Sequence, residues 1–335
     1  MRAYRLNAFS LENLVSIETD PPRPGPGEAL LDVRAISLNY RDLLVIKGVY
    51  NPKLRLPCTP VSDAAGVVAA VGPGVTRVAV GQSAMTHFVP AWLGGPYRME
   101  HLRTTLGTPG PGLAAEQAAL PADALLPLPA GYDAAQAATL PIAALTAWNA
   151  LVEAGGLQAG QTVLTLGTGG VSIFALQLAK AMGARVIITS GSDEKLARAR
   201  ALGADVAINY RATPNWEQVV IEHTGGAGAD VTVETVGGES LSRSILATRA
   251  GGTIALMGAL AGLNASVNTG LLMMKSIRIA GILVGSRGMF EALSRFVARH
   301  RILPVIDRRL PFDQLPDALR LMDRGEHFGK IVLTR

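Results

Sequence analysis

The stretch TVLTLGTGGVSIFALQLAK, Thr162 to Lys180, reads as strand, glycine turn and helix. Gly167 and Gly169 take the first two positions of a dinucleotide-type fingerprint, Gly170 and Val171 open the helix, and Ser172 stands where a third glycine is usual. Gly167 suits a tight turn, and Gly169 lets the backbone come close to a pyrophosphate. The helix start adds unpaired N–H groups and a partial positive charge. Ser172 is small enough for close helix–strand packing, although it departs from the motif.

Outward from this stretch, strand-like segments alternate with helical ones. RVIIT, DVAIN, DVTVET, GTIALMG and SIRIAGI follow TVLTL. Such alternation implies a parallel, doubly wound sheet. Just upstream, DAAQAATLPIAALTAWNALVEAG is helical, with Pro141 expected to separate two pieces. Residues 1–128 read mostly as β. EALLDVRAISLNY alternates with strand period, and AAGVVAAVGPGV suggests a strand pair with glycine turns. Trp92 to Gly112 is loop-like, and LPLPAGY resembles a linker. From Arg287 the pattern is helix (MFEALSRFVARH), strand (VIDRRL), helix (DQLPDALRLMD), strand (GKIVLTR). This tail does not extend the alternation and is expected to return to the first domain. The expected division is 1–128, 129–280 and 281–335.

At 335 residues the chain is long enough for two cores. Only 17% of residues are charged, which favours a globular protein with large interiors. The net charge of +5 is carried by scattered arginines with no basic run interleaved with aromatics, which disfavours nucleic acid as a partner. Cys58 is the only cysteine, so no intrachain disulfide forms and a reducing compartment is expected. No signal-type apolar core opens the sequence, and Gly or Pro interrupts each apolar stretch short of a membrane span. These features suggest a cytoplasmic protein.

The end of the second parallel strand, RVIITSGSDEK, discriminates between cofactors. An NAD-binding chain usually carries an acid there for the ribose 2′-hydroxyl. Here Ser190, Gly191 and Ser192 occupy that place. Asp193 and Glu194 come later, at a helix start, where they complement the helix dipole with Ser192 as N-cap. Lys195 is then available to a 2′-phosphate, and NADP(H) is the expected cofactor.

SLNYRDLLVIKGVY, PVSDAAGVVAAVGPGVTRVAVGQ, AATLPIAALTAWNAL, GGVSIFALQLAKAMGARVI, ALGADVAINY and HFGKIVLT together resemble the medium-chain dehydrogenase/reductase superfamily. The resemblance spans essentially the whole chain. It is strongest to the zinc-independent branch of quinone oxidoreductases, enoyl reductases and zinc-type alcohol dehydrogenase-like proteins. It implies an α/β protein with a mostly-β, GroES-like catalytic domain and a Rossmann domain, and a cleft where nicotinamide meets substrate. It also implies a dimer paired through the last strand of the nucleotide sheet, and SIRIAGI is apolar enough to be such an edge.

Zinc-dependent members of the family place a cysteine where this chain has Asn39, and a His-Glu pair where it has Ser62 and Asp63. The region matching their loop of four structural cysteines, Trp92 to Gly112, has none. Zinc needs three or four Cys, His or carboxylate ligands. Cys58 alone builds no such site, and His87 and His101 have no spaced partner. No metal is expected. Another group must then stabilise charge on a substrate oxygen. Asn39 can donate from its amide, and Tyr40 can donate from its phenol or supply a proton. Arg41 and Asp42 read instead as a structural pair, and a packed Tyr40 is the plain alternative. Both residues can face one cleft only if the strand ends or bends there.

The resemblance further implies Thr146 near the nicotinamide ribose and Tyr210 at the adenosine end. It puts Met257, Gly258, Ile282, Leu283 and Val284 at strand ends on the nicotinamide side, and brings Lys330 toward the cofactor from the tail. Tyr50, Phe88 and Trp92 are candidates for an apolar substrate pocket, with core packing as the alternative. The expectation is an NADPH-dependent, zinc-independent reductase of an apolar enone, quinone or carbonyl compound. The alternatives are an alcohol or aldehyde dehydrogenase, or a cofactor-binding sensor or structural protein without catalysis.

Overall fold

The computed structural model describes all 335 residues. In chain order the strands are β1 (Arg2–Leu6), β2 (Leu14–Glu18), β3 (Glu28–Ser37), β4 (Asp63–Val71), β5 (Ser83–Thr86), β6 (Gln117–Pro121), β7 (Leu125–Pro127), β8 (Thr162–Leu166), β9 (Arg185–Ser190), β10 (Val206–Asn209), β11 (Ala229–Glu234), β12 (Thr248–Leu256), β13 (Arg278–Gly281), β14 (Ile306–Pro311) and β15 (Lys330–Thr334). The chain divides into two compact units: Met1–Leu145 with Gly285–Arg335, and Thr146–Val284.

The first unit holds a mostly antiparallel sheet in the order β14-β15-β3-β4-β5-β7, with β6 also on β3 and β1-β2 as a separate pair. The returning tail supplies β15, which pairs antiparallel with β3, and β14, parallel to β15. Alternate residues of β3 (Leu31, Val33) share one buried core with Leu43, Ile46, Leu113 and Phe312. The second unit is a six-stranded parallel sheet in the order β10-β9-β8-β11-β12-β13. Its order reverses between β8 and β11, so the glycine turn after β8 lies at the topological switch point, where such sheets bind ligands.

Several elements depart from the sequence pattern. β3 stops at Ser37 and does not run to Tyr40. The Asp42 carboxylate accepts the Asn39 N–H at 2.9 Å and starts the helix Tyr40–Ile46. AAGVVAAVGPGV contributes one strand, not two; β4 runs to Val71 and pairs with β3 and β5. The linker-like LPLPAGY begins inside β7, which pairs with β5. Pro141 marks a break in the helical stretch, as expected: the first helix ends at Ala137, a turn covers residues 138–139, and Pro141 stands at the start of a π-helical segment, Leu140–Ala144, where its missing N–H loses little. The unit boundary falls after Leu145 rather than near residue 128, because the helix Ala134–Ala137 packs on β3 and β4 of the first unit. The second boundary follows Val284 rather than residue 280.

Candidate active-site groups in the two units

In the second unit, β8 ends at Leu166 and the chain turns through Gly167, whose φ is +73°. Gly169 is the N-cap of the helix Gly170–Ala181, and no side chain caps it. A Cβ built on Gly167 or Gly169 would meet nothing within 4 Å, so open space lies over the helix start. Uncapped N–H groups facing open space suit a phosphate. Ser172 does more than fit the third-glycine position. Its hydroxyl donates to the Leu166 carbonyl at 2.6 Å and so ties helix to strand.

Across the switch point, the amides of Met257 and Gly258 both donate to the Glu234 carbonyl. Gly258 must be glycine, since a Cβ would lie 2.1 Å from the Thr235 carbonyl carbon. Ile282 donates its N–H to the Leu256 carbonyl, and Asn149 ties its side chain to the Val284 carbonyl at 2.9 Å. Leu283 therefore lies in a segment fixed on both sides, and Thr146 is buried at the start of this unit.

At the end of β9, Ser190 is buried and its hydroxyl oxygen accepts the Ser192 N–H. Ser192 caps the next helix by accepting the Lys195 N–H. Asp193 accepts the Asn209 side-chain amide at 2.8 Å, so this acid is already engaged. A Cβ on Gly191 would stand 2.8 Å from both the Tyr210 hydroxyl and Arg211 Nε. Tyr210 and Arg211 thus lie over Gly191. Sequence reading passes over Arg211; its signal is a base two residues past the end of β10, the strand that neighbours β9.

In the first unit, a buried polar network gathers where β3 ends. Lys330, on β15, donates to the Leu38 carbonyl and to Asn39 Oδ1, both at 2.6 Å. Asn39 Nδ2 donates to Asp63 Oδ2 at 2.9 Å, and the Ile142 N–H reaches the same oxygen at 3.2 Å. Asp63 Oδ1 is buried without a partner. Ser62 donates to Asp42 Oδ1 at 3.0 Å. Arg41 donates to Ser62 Oγ at 2.6 Å and to the Thr108 carbonyl at 2.8 Å. Arg41 and Asp42 therefore meet through Ser62. Burial pushes both aspartates up and Lys330 down from their usual ranges, and the opposite charges offset part of each shift. Tyr40 is exposed at the first position of its helix, not packed. Lys330 is buried, with its ammonium bound to the Leu38 carbonyl and to Asn39 Oδ1.

The Arg41 guanidinium lies 4.4 Å from the ring centre of Tyr50 and 4.9 Å from that of Phe88. Both aromatics thus flank one guanidinium. Trp92 stacks on His101 and meets Tyr97 edge-on. Phe88 and Trp92 are buried, whereas Tyr50 is exposed.

His87 is buried, with Nε2 3.1 Å from the Gly285 carbonyl and Nδ1 unpartnered. The carbonyl can only accept, so Nε2 carries the proton. Burial lowers the ring from its ordinary 6.5 to about 4. The unfolded chain takes up a proton that the folded ring refuses, so stability should fall as pH drops from about 6.5 toward about 4. His87→Gln keeps a donor for Gly285 and should flatten the thermal midpoint across that window. Parallel curves for the two proteins would assign the acid sensitivity to other groups.

No His, Cys, Asp and Glu side chains converge in a group of three or more able to hold a metal. Asn39, Ser62 and Asp63 do not fit zinc, because the Lys330 ammonium already claims the Asn39 oxygen.

The family model described as alcohol dehydrogenase GroES-like domain matches residues 25–130, and the one described as zinc-binding dehydrogenase matches residues 170–299. A zinc-type alcohol dehydrogenase-like protein of Schizosaccharomyces pombe is 40% identical, over 93% of this chain and 92% of its own length. A quinone oxidoreductase of Pongo abelii is 28% identical, over 99% and 97%. Among solved structures, a candidate alcohol dehydrogenase of Sinorhizobium meliloti 1021 superposes with a TM-score of 0.93 at 42% identity, covering 100% of both chains. An NAD-dependent alcohol dehydrogenase does so at 0.90 and 35%, with 100% of both chains covered. A mycobacterial protein complexed with NADPH does so at 0.86 and 26%, again over 100% of both.

Proposed function

The chain belongs to the medium-chain dehydrogenase/reductase superfamily, and on that premise we propose that it is an NADPH-dependent, zinc-independent oxidoreductase acting on an apolar enone, quinone or carbonyl compound. The observation that carries this reading is the Lys330 ammonium bound to Asn39 Oδ1, in the place where the family's zinc-dependent members carry ligands. It leaves the substrate oxygen to hydrogen-bond donors rather than a metal.

When bound, NADPH supplies the hydride. The turn from Gly167 to Ser172 would hold its pyrophosphate. Ser190, Gly191, Lys195, Tyr210 and Arg211 would hold the adenosine ribose and its 2′-phosphate. Thr146, Met257, Gly258 and the segment Ile282–Val284 would line the nicotinamide end. In the first unit, Asn39 Nδ2 and the exposed Tyr40 hydroxyl are the donors for the substrate oxygen. Tyr50, beside Phe88 and Arg41, offers an apolar surface. Addition at the β-carbon of an enone puts the resulting charge on that oxygen, where such donors act.

A homodimer in the cytoplasm completes the reading. β13 is an edge strand, and Met273 and Met274 on the preceding helix are exposed. No helix is long and apolar enough to cross a membrane. An alcohol or aldehyde substrate is the second reading, favoured by the relative solved as an NAD-dependent alcohol dehydrogenase.

The test is NADPH consumption with a panel of enones, quinones and aldehydes, beside elemental analysis. Turnover on a conjugated acceptor with less than stoichiometric zinc, insensitive to chelator, is expected. One zinc per chain with activity lost to chelator would overturn the reading. Tight NADPH binding with no turnover would favour a sensor.

A further inference from the structure

We infer that Lys330 is a positioning residue, whose ammonium fixes which way the Asn39 side-chain amide faces and so which of its atoms a substrate oxygen meets. The inference rests on the proposed role of Asn39 as a donor to that oxygen.

An ammonium has three donors and no acceptor, and an ionised carboxylate has only acceptors. Asn39 lies between Lys330 Nζ, which also donates to the Leu38 carbonyl, and Asp63 Oδ2, which also accepts the Ile142 N–H and so serves as an acceptor here. Its Oδ1 accepts from Lys330 Nζ at 2.6 Å, and its Nδ2 donates to Asp63 Oδ2 at 2.9 Å. Turning the amide over would set an N–H against the ammonium and an oxygen against the carboxylate. Both ends oppose this, so the two charges define one orientation. The backbone is held independently, because the Asn39 N–H donates to Asp42 Oδ2. One Nδ2 proton remains after the bond to Asp63, and it is the only polar hydrogen Asn39 can offer elsewhere.

The arrangement is buried throughout. Asn39, Asp42, Asp63 and Lys330 are all nearly or fully inaccessible, so the charges act at low dielectric and are barely screened. Lys330 is also anchored by the Leu38 carbonyl at 2.6 Å, one residue before Asn39. The ammonium thus fixes both the backbone where β3 has ended and the amide that follows it. Sequence alone separates the two residues by almost the whole chain. The pairing of β15 with β3 brings them together.

Three variants test the inference: Lys330→Met, Asn39→Ala and the double variant. Two readouts are needed. The first uses no cofactor and follows exchange of the Asn39 side-chain amide with water by 15N NMR, the resonance being assigned by its loss in Asn39→Ala. Lys330→Met should speed that exchange about tenfold or more, and an unchanged rate overturns the inference. The second is single-turnover hydride transfer from NADPH to an enone that the native protein reduces. Lys330→Met should slow it about tenfold or more, because a donor turned away from the developing oxyanion no longer stabilises it. The dissociation constant for NADPH should stay unchanged.

In the Asn39→Ala background, Lys330→Met should cost nothing further, because the amide it orients is gone. An equal further loss there would show that Lys330 acts by another route and would overturn the inference. A native transfer rate in Lys330→Met beside a slow Asn39→Ala would also overturn it, while the role of Asn39 stood. A native rate in Asn39→Ala would instead remove the underlying reading. If Lys330→Met does not fold, Asp63→Asn combined with Lys330→Met removes both charges together. That variant should recover the thermal midpoint but not amide protection or transfer rate, and recovery of all three would mean a purely structural pair.

Discussion

Tyr40→Phe should slow single-turnover hydride transfer by about a hundredfold or more, with fold and NADPH affinity intact. The substitution removes one hydroxyl and almost no volume. Tyr40 begins the helix Tyr40–Ile46 with its side chain exposed, so the hydroxyl supports no buried bond that the fold would miss. If it donates to the developing oxyanion, its loss costs about 2.7–4 kcal/mol at the transition state, the range known for one preorganised donor. Asn39→Ala should cost less if the amide chiefly positions the carbonyl. An unchanged rate with an unchanged thermal midpoint would move the oxyanion role to Asn39.

The position of Tyr40 shows what pattern reading could and could not reach. EALLDVRAISLNY keeps strand period to its end, and nothing in that period marks where pairing stops. The strand ends because Asp42 captures the Asn39 N–H, a contact three residues away that reads equally well as an ion pair with Arg41. The parallel sheet was legible because each strand and its glycine or capping residue recur at short range, as in TVLTL before Gly167 or RVIIT before Ser192. The contacts of Lys330 are illegible in the sequence for the opposite reason. Its partners, Leu38 and Asn39, lie at the far end of the chain, and only the antiparallel register of β15 on β3 joins them. The ring contacts of Trp92, stacked on His101 and edge-on to Tyr97, depend on how the 92–101 loop folds back on itself, which aromatic character alone does not show.

The native protein should bind NADPH at least about tenfold more tightly than NADH, and Ser190→Asp should reverse that order. Ser190 ends β9 and is buried, with its hydroxyl oxygen accepting the Ser192 N–H. An aspartate there could keep that acceptor role while placing a carboxylate at the strand end, where a ribose 2′-hydroxyl would be bound and a 2′-phosphate repelled. Asp193 lies three residues further on, in the first turn of the next helix, where one of its oxygens accepts from Asn209. Arg211 and Tyr210 lie over Gly191, which gives a 2′-phosphate a cation and a hydroxyl at one point. A charge-assisted bond of this kind contributes about 1.5–3 kcal/mol, or roughly tenfold or more in affinity. Arg211→Ala and Lys195→Ala should therefore each weaken NADPH by about that factor and leave NADH nearly unchanged. Ser190→Asp should weaken one cofactor and strengthen the other, moving their ratio by about a hundredfold. Fluorescence titration of the native protein, the three single variants and the Arg211→Ala, Lys195→Ala double variant with both cofactors measures every term. Equal affinity of the native protein for NADPH and NADH would remove the argument at its root. A native preference for NADPH that survives loss of both Arg211 and Lys195 would assign the 2′-phosphate to the Tyr210 hydroxyl and backbone amides near Gly191.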